Sequence, residues 1–146
     1  VYQTGKPKVS PNLASSLEDD ERVVLVSGNV TGQRVAKLII EGGKNIAPQE
    51  LKAVVTYIED GEEYTAFLDG TEWTADAYAA MSSGLTMKWV DSDGTDDLTP
   101  GDRIDFAEGS NPATAGHEVT SATDFNVKII HKSTEATLAN HTIKVN

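Results

Sequence analysis

Apolar side chains recur at every second position through most of this chain, in segments of roughly five to ten residues broken by Gly, Asp or Asn. A period of two is the signature of half-buried strands, because successive side chains of an extended backbone point to opposite faces. The densest part runs from Val23 to Ile58 (VVLVSGNVTG, then RVAKLIIEGG, then KNIAPQELKAVVTYI). Residues 22–31 read as a strand, with Gly28 marking a bulge or its end. Gly32 and Gln33 turn the chain into a second strand at 34–41, which places Ala36, Leu38 and Ile40 on one face. Residues 51–58 form a third, with Leu51, Ala53, Val55 and Tyr57 alternating with Lys52, Val54, Thr56 and Ile58. Apolar residues on both faces put this strand in the middle of a two-layer structure.

The remainder continues the pattern. Asp60-Gly61 offers the positive φ a hairpin turn needs, and residues 63–68 return from it. Strands follow at 85–90, 103–107, 125–131 and 137–145, the last two as a C-terminal hairpin, with a polar surface loop at 108–123. Residues 74–81 (TADAYAAM) depart from the period. Alanines fill the segment, Thr74 stands as an N-cap and Gly84 lies beyond it, which predicts a short helix. The expected fold is therefore all-β: an antiparallel β-sandwich or open barrel of about eight or nine strands with one short helix. Residues 1–21 read as an N-terminal arm or the end of a helix, since Leu13 and Leu17 stand four apart; a solvated acidic approach to the first strand is the alternative. Residues 22–146 make the β-domain.

A chain of 146 residues can bury one core without staples, and 38% hydrophobic content is that of a globular protein. A net charge of −11 with scattered basic residues argues against a nucleic-acid partner. No cysteine is present, so disulfides, thiolate catalysis and cysteine-bound zinc are excluded. The longest run of branched aliphatic residues, Val23 to Val26, falls far short of the roughly 20 apolar residues a membrane-spanning helix needs, and no membrane contact is expected of this segment. The sequence opens on Val1 rather than Met, so a fragment or a processed product is expected.

No catalytic constellation emerges. The three histidines, at 117, 131 and 141, lie in no nucleophile motif; His131 and His141 share the C-terminal hairpin and offer a metal pair or, more plainly, polar residues of an outer face. The glycines match no phosphate-cradling spacing. The acidic turn at 91–102 (DSDGTDDLTPGD) concentrates Asp91, Asp93, Asp96 and Asp97, with Gly94 allowing a sharp turn. Such oxygen-rich clusters suit calcium, although the spacing is not that of an EF-hand; the alternative is a solvated turn whose carboxylates bond local amides. Two N-x-[ST] sequons, at Asn29 and Asn140, are candidate glycosylation sites.

Three stretches carry a resemblance. SGNVTG at 27–32, GGKNIAPQELKAVVTY at 42–57 and WVDSDGTDDLTPGD at 89–102 resemble archaellins, the filament subunits of the archaeal swimming organelle. The C-terminal FNVKIIHKSTEATLANHTIKV is similar to the terminal hairpin of archaeal pilins and of stator-like accessory proteins. The likeness spans most of 27–145 as pattern rather than identity. It departs from the family in lacking the N-terminal apolar helix and in carrying Ile130-His131-Lys132 where archaellins place a proline pair before the last strand. The resemblance implies an extracellular, non-enzymatic β-domain of a surface filament, self-associating through a missing N-terminal helix and presenting glycans outward. The alternatives are a stator-like accessory protein or adhesive module that grips the surface layer, and, third, a β-sandwich hydrolase working through paired carboxylates.

Overall fold

The computed structural model describes residues 11–27, 30–108 and 118–146, and for residues 21–27 and 30–32 the backbone alone. Among the described residues nine strands form two antiparallel sheets. They are β1 (Leu13–Ser27), β2 (Val30–Gly43), β3 (Leu51–Glu59), β4 (Glu62–Asp69), β5 (Tyr78–Ala80), β6 (Thr86–Val90), β7 (Arg103–Glu108), β8 (Thr123–His131) and β9 (Ala136–Val145). The first sheet runs β1-β2-β7-β6-β5 and the second β4-β3-β8-β9. The two stay open, so the architecture is the sandwich rather than a closed barrel. Among the described residues no helix is long and apolar enough to cross a membrane.

The period-two pattern places the core. Ala36, Leu38 and Ile40 of β2, Leu51, Ala53, Val55 and Tyr57 of β3, Ile104 and Phe106 of β7, and Phe125, Val127 and Ile129 of β8 are all buried. Phe106 and Phe125 meet edge-on across the two sheets, ring centroids 6.1 Å apart at 61°. Each such side chain removed from water contributes about 2 kcal/mol, so these facing rows hold the layers together. β3 lies between β4 and β8, the central place its two-sided apolar character predicts. Asp60 and Gly61, at φ 51 and 84, make the tight turn of the β3–β4 hairpin.

Three local expectations are corrected. Residues 13–21, read as an arm or helix end, belong to β1, where Leu17 pairs with Leu38 and is buried. A four-residue spacing fits a helix face or every other inward position of a strand; pairing with β2 decides for the strand. Second, Gly32 and Gln33 do not turn the chain: they lie within β2, paired with Leu25 and Val24. Third, residues 74–81 are not helical. Asp76 takes φ 60 and its N–H bonds the Trp89 carbonyl at 2.8 Å, after which Tyr78–Ala80 pairs with β6 as an edge strand. The structure's short helical turns are instead the 3-10 segments Pro48–Glu50, Gly70–Glu72 and Ser82–Gly84.

The last of these segments covers a sheet edge. β4 is the outer strand of the second sheet, and its Phe67 N–H donates to Ser82 Oγ at 2.9 Å while Ser83 Oγ donates to the Thr65 carbonyl at 3.1 Å. Two hydroxyls thus take up backbone groups that an exposed edge would offer to another chain. Tyr57 reinforces the lid by donating its hydroxyl to the Ser83 carbonyl at 2.8 Å; burial pushes that phenol up to about 12. On the opposite side, the edges β1 and β9 are tied by side chains: Ser15 Oγ and His141 Nε2 share a 2.9 Å hydrogen bond.

Candidate functional site

The acidic loop is built inward from one residue. Asp102 is completely buried at the end of the β6–β7 connection. Its Oδ1 accepts from the Ser92 N–H at 3.0 Å and the Ser92 hydroxyl at 2.9 Å; its Oδ2 accepts from Trp89 Nε1 and the Thr99 N–H, both at 3.1 Å. Four donors fill the lone-pair positions of a carboxylate, which is how the charge is kept out of water. The loop is then pinned to the body by the Ile46–Leu98 bridge and by the Ile40 N–H to the Asp102 carbonyl at 3.0 Å.

Asp91, Asp93 and Asp102 bring one oxygen each within 4.8 Å of one another. The cluster therefore differs from the expected ligand set: Asp96 and Asp97 stay outside it and Asp102 enters. Asp96 serves through its N–H, which donates to Asp91 Oδ2 at 3.0 Å, and Asp97 through its backbone, at 3.4 Å from Thr95 Oγ1. Asp91 Oδ1 also accepts from the Gly94 N–H at 3.1 Å. Asp93 takes the Thr95 hydroxyl and N–H on one oxygen and the Thr99 hydroxyl on the other. Those bonds, Thr95 first, hold the Asp93 carboxyl at about 2. Three carboxylates are the right donors for calcium, but Asp102 has no lone pair to give without releasing Trp89, Ser92 or Thr99. The geometry is that of a turn closed by its own amides and hydroxyls.

His131 and His141 do not meet. His141 sits opposite Val127 in the β8–β9 ladder, four residues along from His131. His131 is buried, with Nδ1 2.7 Å from Thr134 Oγ1 and Nε2 3.4 Å from Glu50 Oε1. Beside it, Lys132 donates to Asp69 Oδ1 at 2.8 Å, and Asp69 also caps the Gly70–Glu72 turn by accepting from the Thr71 N–H at 3.0 Å. Lys132 first, then Thr71, lower the Asp69 carboxyl to about 2. His117 and Asn29 lie outside the described residues.

A second charged cluster occupies the outer face of the first sheet. Asp105 is buried between Lys37 and Lys88 in the strand register, with Arg103 Nε at 3.0 Å and Arg34 at 3.5 Å. Arg34 Nε also lies 3.1 Å from Asp20, close enough for attraction but without hydrogen-bond alignment. Burial raises the Asp20 carboxyl and Arg34 opposes it.

The outer face of the second sheet carries a hollow of about 680 Å³. Register sorts its lining into rows: Ile58 and Glu63, and Asp124 and Lys144, at one end, then Thr56, Asn126 and Thr142, then Lys128 and Asn140 at the other. Short Thr and Asn side chains line its middle, and Glu63 and the exposed Asp124–Lys144 pair, 2.9 Å apart, line one end. Asn126 Nδ2 has three acceptors within reach for its two hydrogens: Asn140 Oδ1 at 2.8 Å, Thr142 Oγ1 at 2.9 Å and the His141 carbonyl at 3.2 Å. Asn140 is thus exposed on the outward side of β9, with Thr142 of its sequon on the same face. Phe67, which pairs with Val54 outside the hollow, is the large apolar residue left exposed among those described, with Lys52 Nζ 4.6 Å from its ring centroid. The sequence shows every residue of this hollow and none of its geometry, because the β3–β8 pairing that assembles it joins segments far apart in the chain.

Fold and sites together define an antiparallel β-sandwich whose charged clusters serve its own architecture. No family model, curated protein or solved structure matches the chain.

Proposed function

We propose that this chain is the outer β-domain of an archaeal surface-filament subunit of the archaellin or pilin-like kind, non-enzymatic and extracellular. The observation that carries the reading is the use to which the chemistry-bearing residues are put. Asp102, Asp93, His131 and Asp69 each hold a turn or a strand end through hydrogen bonds within the fold. The nine-strand sandwich is the kind of domain the resemblance implies, and Asn140 presents its sequon outward as a glycan-bearing surface would. Filament growth in this reading runs through a helix outside the present sequence, with the β-domains packing around it.

Mass spectrometry of filaments sheared from the source organism tests the proposal. Peptides of this chain should dominate, with glycan mass on Asn140 or Asn29. Absence from filaments together with recovery in the envelope fraction would shift the assignment to the second reading, an accessory or adhesive module that grips the surface layer. The polar hollow of the second sheet favours that alternative, and retention of the chain on isolated surface layer is its direct test.

A further inference from the structure

We infer that Asp60–Gly61, the tip of the β3–β4 hairpin, is a self-modifying site at which the main chain rearranges to a β-linked isoaspartate. The step needs no enzyme and no co-reactant but water. The Gly61 nitrogen attacks Asp60 Cγ; a C–N bond forms, the Cγ–OH bond breaks, and the hydroxyl leaves with the amide proton as water. The product is a five-membered imide. Water then adds to one of its two carbonyls. Opening at Cγ restores aspartate; opening at the main-chain carbonyl leaves Gly61 joined through the side chain of residue 60. No electrons change hands. Asp-Gly is the dipeptide most open to this attack, because glycine carries no side chain to shield its nitrogen.

The sequence holds three Asp-Gly pairs, and the fold treats them differently. Asp69 Oδ1 accepts from Lys132 Nζ and from the N–H and hydroxyl of Thr71, and Gly70 is buried against the Pro48 carbonyl. Asp93 accepts from Thr95 on one oxygen and Thr99 on the other, while the Gly94 N–H is taken by Asp91 Oδ1 at 3.1 Å. These bonds hold the Asp69 and Asp93 carboxyls at about 2, away from the protonated form that loses water. The Asp60–Gly61 pair lacks such ties. Both residues are exposed, and a side chain placed at Gly61 would meet nothing within 4 Å, so the turn can swing without a clash. Among the described residues neither the Asp60 carboxylate nor the Gly61 N–H has a hydrogen-bond partner. The Asp60 N–H donates to Thr120 Oγ1 at 2.9 Å, which leaves both reacting groups untouched. Rearrangement puts one more carbon into the main chain of a tight loop, so it loosens the Glu59–Glu62 pair that closes the hairpin. The inference holds whether or not the chain is a filament subunit.

The test is a timed incubation of the full chain at neutral pH, one sample folded and one in concentrated urea, followed by proteolysis and electron-transfer mass spectrometry to locate isoaspartate. In the folded chain the product should gather at residue 60 at least about tenfold faster than at 69 or 93, the factor that releasing a hydrogen bond to a charged group imposes on a rate. In urea, where those bonds are gone, the three rates should converge. Asp60→Glu, which would have to close a six-membered ring, should remove the signal at 60 and leave the hairpin folded. If 69 or 93 keeps pace with 60 in the folded chain, or if 60 reacts in urea but not in the fold, the inference is overturned. A signal at 60 that survives Asp60→Glu would overturn it as well.

Discussion

Asp102 illustrates how much one side chain carries here. It is a buried carboxylate whose cost of desolvation is offset by four donors, and those donors are what shape residues 89–102. Asp102→Asn turns one acceptor oxygen into a donor facing N–H groups, so the variant should lose about 3 kcal/mol in urea denaturation. Calcium should leave the melting midpoint of the wild type where chelator leaves it, since those oxygens are engaged; a midpoint that climbs with calcium concentration would reveal a metal displacing the donors. Asp69 governs a different dependence. Its carboxyl is depressed to about 2 from 3.8, so its contribution is present above about pH 4 and disappears as pH falls through 2. The stability gap between wild type and Lys132→Met should accordingly be widest above pH 4 and close between 4 and 2, read from urea midpoints across that range. Residue types at these places are plain in the sequence. What is not plain is burial: Asp102 is one carboxylate among 23 acidic residues, and only the tertiary fold distinguishes it from Asp96 and Asp97 a few positions away.

At the scale of elements, alternation was a sound guide wherever a segment is long and faces a core. The inward sets of β2, β3, β7 and β8 are read directly from the period. It failed where local and tertiary preferences diverge. TADAYAAM has the composition of a helix, yet a segment of eight residues gains little from propensity alone, and Tyr78–Ala80 pairs with β6 instead as the sheet's short outer strand. The acidic residues of 13–21 masked a strand for the opposite reason, because an edge strand with one wet face tolerates charge. The covering of β4 by Ser82 and Ser83 is a further element-level device that no periodicity announces. Ser82→Ala combined with Ser83→Ala should cost about 1–2 kcal/mol and leave an edge open to pairing. Sedimentation velocity should then show dimers or larger species at concentrations where the wild type is uniform; an unchanged distribution would mean that the edge is protected by something other than the two hydroxyls.

Across the whole molecule, the layer architecture follows from nine alternating segments, but the order of strands within the sheets does not. β2 lies against β7 and β3 against β8, pairings between distant parts of the chain. They cannot be inferred from local pattern, because each strand's inward face is compatible with several neighbours. These same pairings govern how the molecule reaches its native state. The β3–β4 and β8–β9 hairpins close short loops and can form early, but Phe106 meets Phe125 only after both distant ladders have joined. The loop entropy of that step precedes any reward from burial, which puts refolding in the millisecond-to-second range typical of sandwiches. Stopped-flow refolding followed by Trp89 fluorescence should show it, and substitutions at Phe106 or Phe125 should slow the folding limb of the chevron far more than changes at the β5 edge. A chain that spends so long with its apolar faces uncovered is exposed to misassociation meanwhile, and the mutual repulsion of a surplus of 11 negative charges keeps neighbouring, half-formed copies apart until the sheets have closed.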